Sequence, residues 1–589
     1  MQEGIQSYSR HNKLILVMVF LALSLSILTL RLNPPTGYEL DIYFGSPMSS
    51  ILLIFLCVGV SSLSLLHFSI SRNMIFMHRL SCIIGLLTVV GLPAIRSHFH
   101  IGEGDMMTHI GYSKDLLNSS ISPIDMMYPL SHTLVVTISK LGSNDIYRSY
   151  LLIPMIIVLL FVSFSVLTVR RVFSNSQDLL NLSFIIACLL LTIDQASMHI
   201  QPSPRNLSLY FTPLIIFTAI FWWNSIGYKK VVLFLTTSVS YILIHPQIAI
   251  ATFLGLFALP AVWCIYDDKT GLKSRHQTLS RWVLLFLPVI ITWSWIQSQP
   301  SFRGALSANI TRFLTYDPSP GGVETRSVSL TQVGGSIEEL FIKIFLASLV
   351  LSIIATLPLI KMITNREILS NLSTPPHLEK YYISILLMAF PALICMFIFM
   401  LVSKPNQFFR YYGVIMVMIT LLSPYPLYKL MKSHTTNSLI KVGLCIMFMI
   451  SLLVVHPSPY IYQDSEHVTE SHLQGHEHMI EYRGDSIYYS YVRSTTSRYG
   501  DALYGVRESS TIDYYGEYGG QAPEQFAGQN LHQHYGERMY LIITTADRSR
   551  DPILYKGFRY SSESFKYLDS DEEINKIKSN GELTSYALL

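Results

Sequence analysis

The stretch SYLLIPMIIVLLFVSFSVLTV, residues 149–169, closed by Arg170 and Arg171, decides the class of fold. It carries no charge, and as a helix rising 1.5 Å per residue it crosses the roughly 30 Å of hydrocarbon in a bilayer. Stretches of the same kind recur from Leu14 to Val455 and then cease. They predict spans near 14–30, 48–67, 74–95, 149–169, 179–194, 206–227, 229–244, 247–266, 281–297, 340–360, 381–402, 411–430 and 438–456, about thirteen crossings in all. Composition agrees: 50% of the 589 residues are hydrophobic and 14% are charged, a balance that a water-soluble fold of this length does not keep.

Lys and Arg resist translocation, so the short loops that carry them mark the cytoplasmic side. Arg10 and Lys13, Arg72 and Arg79, Arg170 and Arg171, Lys229 and Lys230, Lys269 to Arg281, Lys361 to Lys380, and Lys429 to Lys441 fall on one side in strict alternation. A cytoplasmic N-terminus then places loops 96–148 and 298–339, and everything after His456, outside the cell membrane. The expected organisation is a membrane domain over 1–456 and a soluble extracytoplasmic domain over 457–589. Residues 14–30 read as an uncleaved first span, because Arg31 closes the run and no small-residue cleavage site follows.

The positive charge belongs to the membrane part. Residues 456–589 hold 12 Lys and Arg against 20 Asp and Glu, which gives no reason to expect nucleic acid as a partner. Cys57, Cys82, Cys188, Cys264, Cys395 and Cys445 all fall inside predicted spans, where they read as small packing residues, and the tail has none. In the tail, Arg538–Thr545 reads as a strand, and Ile574–Leu583, with Asn580-Gly581 at its turn, as a terminal hairpin. A small α+β module fits. The run Ser471–His478 puts His472 and His476 four apart, but Gly475 interrupts it and His-Glu-x-x-His is absent, so it reads as a solvated linker. Charged residues keep to span ends and no internal repeat is visible, a pattern unlike that of ion-coupled carriers.

Chemistry concentrates in loop 96–148, at His98-Phe99-His100-Ile101-Gly102-Glu103-Gly104-Asp105-Met106-Met107-Thr108-His109. Glycines on both sides of Glu103 let Glu103 and Asp105 turn towards one point. Such a pair suits general-base work on a hydroxyl, or the holding of a hard divalent cation, Mg or Mn, through oxygen. The plainer reading makes Asp105 a helix cap and Glu103 a solvated loop acid. Downstream, Met106, Met107, Ile110 and Leu117 fall near one face, as in a helix lying in the membrane interface. Pro129–Leu141 predicts a second helix, too short to cross.

The pair Glu103-x-Asp105 in the first long external loop, followed by two interfacial helices, resembles the first luminal loop of the GT-C superfamily of polyprenyl-phosphate-dependent glycosyltransferases. Gly104-Asp105-Met106-Met107-Thr108-His109-Ile110-Gly111, Tyr128-Pro129 and Pro34-Pro35-Thr36-Gly37-Tyr38-Glu39-Leu40 also resemble archaeal multi-pass proteins linked to surface glycans. The resemblance implies a mainly α, polytopic helix bundle. It also implies a transferase that moves a sugar from a polyprenyl (dolichyl) phosphate carrier to a cell-surface glycan or glycoprotein on the outer face. Asp105 is then the general base, and Glu103 orients it or helps to hold a metal.

The leaving polyprenyl phosphate is an anion, so such a reaction needs fixed positive charge at the outer boundary. Arg410, in Pro405-Asn406-Gln407-Phe408-Phe409-Arg410-Tyr411-Tyr412, occupies such a place, as do Arg205 and His245. With His109 of the acidic loop they form the candidate substrate-binding set; the alternative for Arg410 is an interfacial anchor. Loop 298–339, with Arg303, Arg312, Tyr316 and Asp317, reads as a flexible connector or as a cover over the site. The Trp-Trp-Asp signature of the oligosaccharyltransferase branch is missing, so en bloc transfer to asparagine is not expected. The competing functional classes are a flippase or exporter of lipid-linked saccharides and a non-catalytic membrane scaffold.

Overall fold

The 149–169 stretch lies within a helix, Ile146–Val172, for local reasons. The Asp145 side chain caps it by accepting from the Arg148 amide at 2.7 Å, and Arg170 and Arg171 meet the negative end of the helix dipole in the last turn. Ile153, Ile157, Val158 and Phe161 are buried against neighbouring helices, while Ile156, Leu159 and Leu167 remain on the outside.

The computed structural model describes residues 2–67, 71–173, 176–191, 200–225, 227–267, 272–300, 302–304, 330–364, 376–401, 405–432, 437–484, 487–514, 520–535 and 538–588. Every predicted span contains a helix. Among the described residues nine helices are long and apolar enough to cross a membrane, from Asn12–Arg31 to Phe408–Met431, and Gln177–Cys188 and Asn437–Leu453 are shorter apolar ones. On the first of them Leu14, Met18, Leu21, Leu25 and Leu28 are each more than half exposed, at alternating spacings of four and three residues. That stripe is the face of a helix turned to lipid. The chain is a multi-pass membrane protein built as a helix bundle.

After the last helix of the bundle the chain forms a four-stranded sheet. Strands β1 (His100–Ile101) and β2 (His467–Val468) form a separate antiparallel pair that ties the acidic loop to the tail. The sheet proper has the order β3 (Tyr488–Tyr491), β4 (Met539–Thr544), β6 (Leu583–Leu588), β5 (Asn575–Ser579), with β3 and β4 parallel and the remaining pairs antiparallel. The predicted strand is β4 and the predicted hairpin is β5–β6. Met539, Leu541, Ile543, Phe526, Phe565 and Tyr586 make a core that belongs to this segment alone.

Two expectations fail here. The histidine run is no solvated linker: Thr469 caps a helix, Glu470–Glu481, by accepting from the His472 amide, and His472 and His476 are fully buried. His476 stacks on Tyr499 at 3.9 Å, and His472 Nε2 lies 3.2 Å from Glu582. Nor does the Asp105–Leu117 helix simply lie on lipid. Its apolar side, Met106, Met107 and Ile110, enters the bundle core, and its polar side packs on a tail helix, Thr496–Tyr504, so that Asp115 is buried as well.

Candidate active site

The acidic loop turns sharply because Gly104 adopts φ 62° and ψ −121°, a conformation that residues with a side chain avoid. Gly104, and not Asp105, is the N-cap residue; Asp105 opens the helix. The turn sends the two carboxylates to different partners.

Glu103 points into the junction with the tail. Ser494 Oγ lies 3.4 Å from its Oε2, the Tyr499 hydroxyl 3.5 Å from its Oε1, and Arg550 Nη1 3.4 Å from its Oε2. Arg550 is buried and also faces Asp464 at 3.3 Å, Asp547 at 2.9 Å and Asp551 at 3.8 Å. Burial opposes its charge, but Asp464, Glu103 and Asp547 raise its pKa well above the usual arginine value. Asp551 is itself gripped by both arms of Arg493, at 2.8 and 2.9 Å. Burial raises Glu103 above the ordinary carboxylate value, with Arg550 pulling the other way. Glu466, hydrogen-bonded by Gln201, is pushed by burial, and then by Asp464 and Glu103, to about 8. It is therefore protonated at neutral pH.

A second buried pair braces the other side. Arg96 grips Glu39 bidentately at 2.6 Å through each arm, and His98 adds a contact of 3.0 Å. Glu39, in the 34–40 motif noted above, thus fastens the loop after the first span to the acidic loop.

Asp105 faces the opposite way, its side chain 87% exposed, 3.2 Å from Arg498 Nη2. Around it lies a cluster centred on Tyr128. The Tyr128 ring stacks on His245 (5.1 Å, 6° between planes) and meets His109 and Phe302 edge-on. Burial raises the Tyr128 phenol, Arg410 and Arg205 lower it, and Asp105 raises it again, so all three charges act on one hydroxyl. Burial and then Arg410, Arg205 and His109 hold His245 well below its ordinary value; burial takes His109 to about 4. His245 Nδ1 accepts from the Ile248 amide at 3.3 Å, which leaves Nε2 to carry the proton of the neutral ring. Gln247 joins the cluster by accepting from Arg410 Nη1 at 2.9 Å and donating to Tyr411 at 3.0 Å. His109 Nδ1 lies 3.2 Å from Nε2 of the buried His132.

His109 and His245 thus pack on Tyr128 and Arg410 reaches Gln247, two residues after His245, while Asp105 and Arg205 act on Tyr128 through their charge; Glu103 does not join them. Arg550 faces Glu103 and Arg498 faces Asp105, so the two carboxylates have different cationic partners. Among the described residues no three His, Cys, Asp or Glu side chains are arranged to hold a metal ion. Arg303 is exposed, and Arg312, Tyr316 and Asp317 lie outside the described residues. Gln247, His132, Arg498 and Arg550 do not stand out in the sequence, and Tyr128 does so only within the Tyr128-Pro129 motif, with no role of its own. Only Tyr128 carried a local signal, in its position before Pro129 at a helix start.

Beside the cluster runs an open groove of about 750 Å³, lined by Ile124, Val239, Ile242, Leu243, Ile291 and Trp295 among others. Its rim is fixed by Gln299, which donates to the Ile124 carbonyl at 3.2 Å, and Leu243 lies two residues before His245.

No family model matches the chain, and no curated protein matches it. Among solved structures, that of ArnT from Cupriavidus metallidurans in the apo state aligns over 88% of this chain and 99% of its own, at 12% identity and a TM-score of 0.37. A likeness this distant fixes neither residue correspondence nor activity.

Proposed function

We propose that this protein is a membrane glycosyltransferase that moves a sugar from a polyprenyl phosphate carrier to an acceptor hydroxyl of a surface glycan or glycoprotein, on the outer side of the membrane. The observation that carries this reading is the packing of His245 and His109 on Tyr128, with Arg410 held on Gln247 beside them, next to a mainly apolar groove; the charges of Arg410, Arg205 and Asp105 all act on the Tyr128 hydroxyl. Arg205 and Arg410 supply the fixed charge that a phosphate needs, and His245 supplies a neutral donor. The groove, lined mainly by apolar side chains with Asp125, Ser294, Ser298 and Gln299 among them, has the size of a site for the carrier's chain. Asp105 is the carboxylate left open to a soluble acceptor.

In the reaction the acceptor oxygen attacks the anomeric carbon, and the bond from that carbon to the phosphate oxygen breaks. The electron pair leaves with the polyprenyl phosphate, and the acceptor proton passes to Asp105. Glu103 takes no part in the chemistry; its role is to anchor the loop. No step is assigned to a metal.

The test is sugar transfer from a synthetic polyprenyl-phosphate sugar by the purified protein in detergent or nanodiscs. Asp105→Asn should cut turnover by about 10²- to 10⁴-fold, the usual worth of a general base, with expression and melting temperature unchanged. Arg410→Gln should act mainly on donor KM. Turnover retained by Asp105→Asn overturns the reading, and transbilayer movement of the intact donor without transfer would replace it with a flippase.

A further inference from the structure

An exposed carboxylate at the first position of a helix rotates freely unless something holds it, and a general base that wanders by about 1 Å loses on the order of 10²-fold in rate. Asp105 is held from outside the membrane bundle. Arg498 Nη2 lies 3.2 Å from Asp105 Oδ1, and Arg498 Nη1 donates to Thr108 Oγ1 at 2.7 Å. Thr108 in turn donates to Asp501 Oδ2 at 2.6 Å, on the same tail helix as Arg498. Two arms of one planar guanidinium are thus engaged three residues apart on one face of the Asp105–Leu117 helix.

We propose that Arg498, carried by the tail, is the positioning residue that aims Asp105 at the acceptor. The inference rests on the reading of Asp105 as the base. Docking of the tail does not depend on this contact. Lys114 donates to the Leu503 carbonyl at 2.9 Å, Tyr147 to the Ala502 carbonyl at 2.8 Å, and the Arg507 amide to Asp115 at 3.1 Å. Removing the Arg498 side chain therefore leaves these contacts between tail and bundle in place while it releases the Asp105 carboxylate and one partner of the Thr108 hydroxyl. A lysine reaches one of the two oxygens but cannot bridge both.

The test compares Arg498→Ala, Arg498→Lys and Asp105→Asn in the transfer assay with full-length protein. Arg498→Ala should lower kcat by about 10- to 100-fold with donor KM and melting temperature unchanged, and Arg498→Lys should recover part of it. Guanidinium ion added to the assay should restore turnover in Arg498→Ala and not in Asp105→Asn. In the Asp105→Asn background Arg498→Ala should cost nothing more, because it acts through the missing carboxylate. If Asp105→Asn is dead while Arg498→Ala turns over at the parental kcat, the positioning role alone falls. A loss in Arg498→Ala that comes with a lower melting temperature and no rescue by guanidinium assigns the residue a structural role and also overturns the proposal. If Asp105→Asn remains active, the base reading fails and takes this inference with it.

Discussion

Glu466 is a carboxyl group that folding holds neutral. Its pKa of about 8 in the folded chain, against an ordinary 4.5, means that the folded state keeps a proton which the unfolded state gives up. The associated stability is complete below about pH 4.5 and drains away as the pH rises to about 8, a loss on the order of a few kcal/mol for a buried group. Buried His100 and His476, lowered to about 4 and about 3, work in the other direction and destabilise the fold as the pH drops below about 6.5. Glu466→Gln keeps the hydrogen-bonding shape and removes the titration. Melting curves from pH 5 to pH 9 should therefore show the variant gaining on the parent as pH rises; parallel curves would show that Glu466 is ionised in the fold.

The crossing of the Asp105–Leu117 and Thr496–Tyr504 helices is close because residue 111 is glycine. A Cβ there would lie 2.4 Å from the Asp501 carbonyl oxygen, a backbone atom that cannot rotate aside. Gly111→Val should force the helices apart at a cost of about 1 to 3 kcal/mol, seen as a lower melting temperature, and should also reduce turnover by loosening the grip of Arg498 on Asp105. The same pair of helices shows where sequence reading stops. Met106, Met107 and Ile110 announce an amphipathic helix, and it is present. Nothing in the spacing of Lys114 and Asp115 says whether a polar face meets water, headgroups or another helix, since all three accept the same residues. The buried histidines escape sequence reading for a related reason: Tyr38 and Glu582 lie against His472 and Tyr499 against His476, and none of the three lies within the run.

Over the whole molecule, what is local was legible and what is distant was not. Span positions follow from hydropathy within about twenty residues, and Arg205, His245 and Arg410 stood out because a polar residue at a span end is unusual company for its neighbours. Arg498 and Arg550 reach the acidic loop across 390 and 447 residues, beyond any pattern within one segment. The loop charges still make a topological prediction. Tyr482 is 72% exposed in the tail, so Tyr482→Cys, in a chain whose native cysteines are replaced by alanine, should react with an impermeant maleimide on intact cells. Labelling only after lysis would reverse the orientation and put the candidate site on the other side.

The pairing of β1 with β2, and of Glu103 with Arg550, also imposes an order on biosynthesis. The acidic loop leaves the ribosome hundreds of residues ahead of the segment that completes it, an interval on the order of 20 to 90 s at ordinary rates of elongation. Through that interval a carboxylate and two histidines destined for burial stand open to solvent and to chaperones. The candidate site therefore cannot be completed span by span as the chain is threaded into the membrane. Its site closes only when the last strands arrive, so a chain cut short by a late stop codon would be inserted, complete in its helices, and silent.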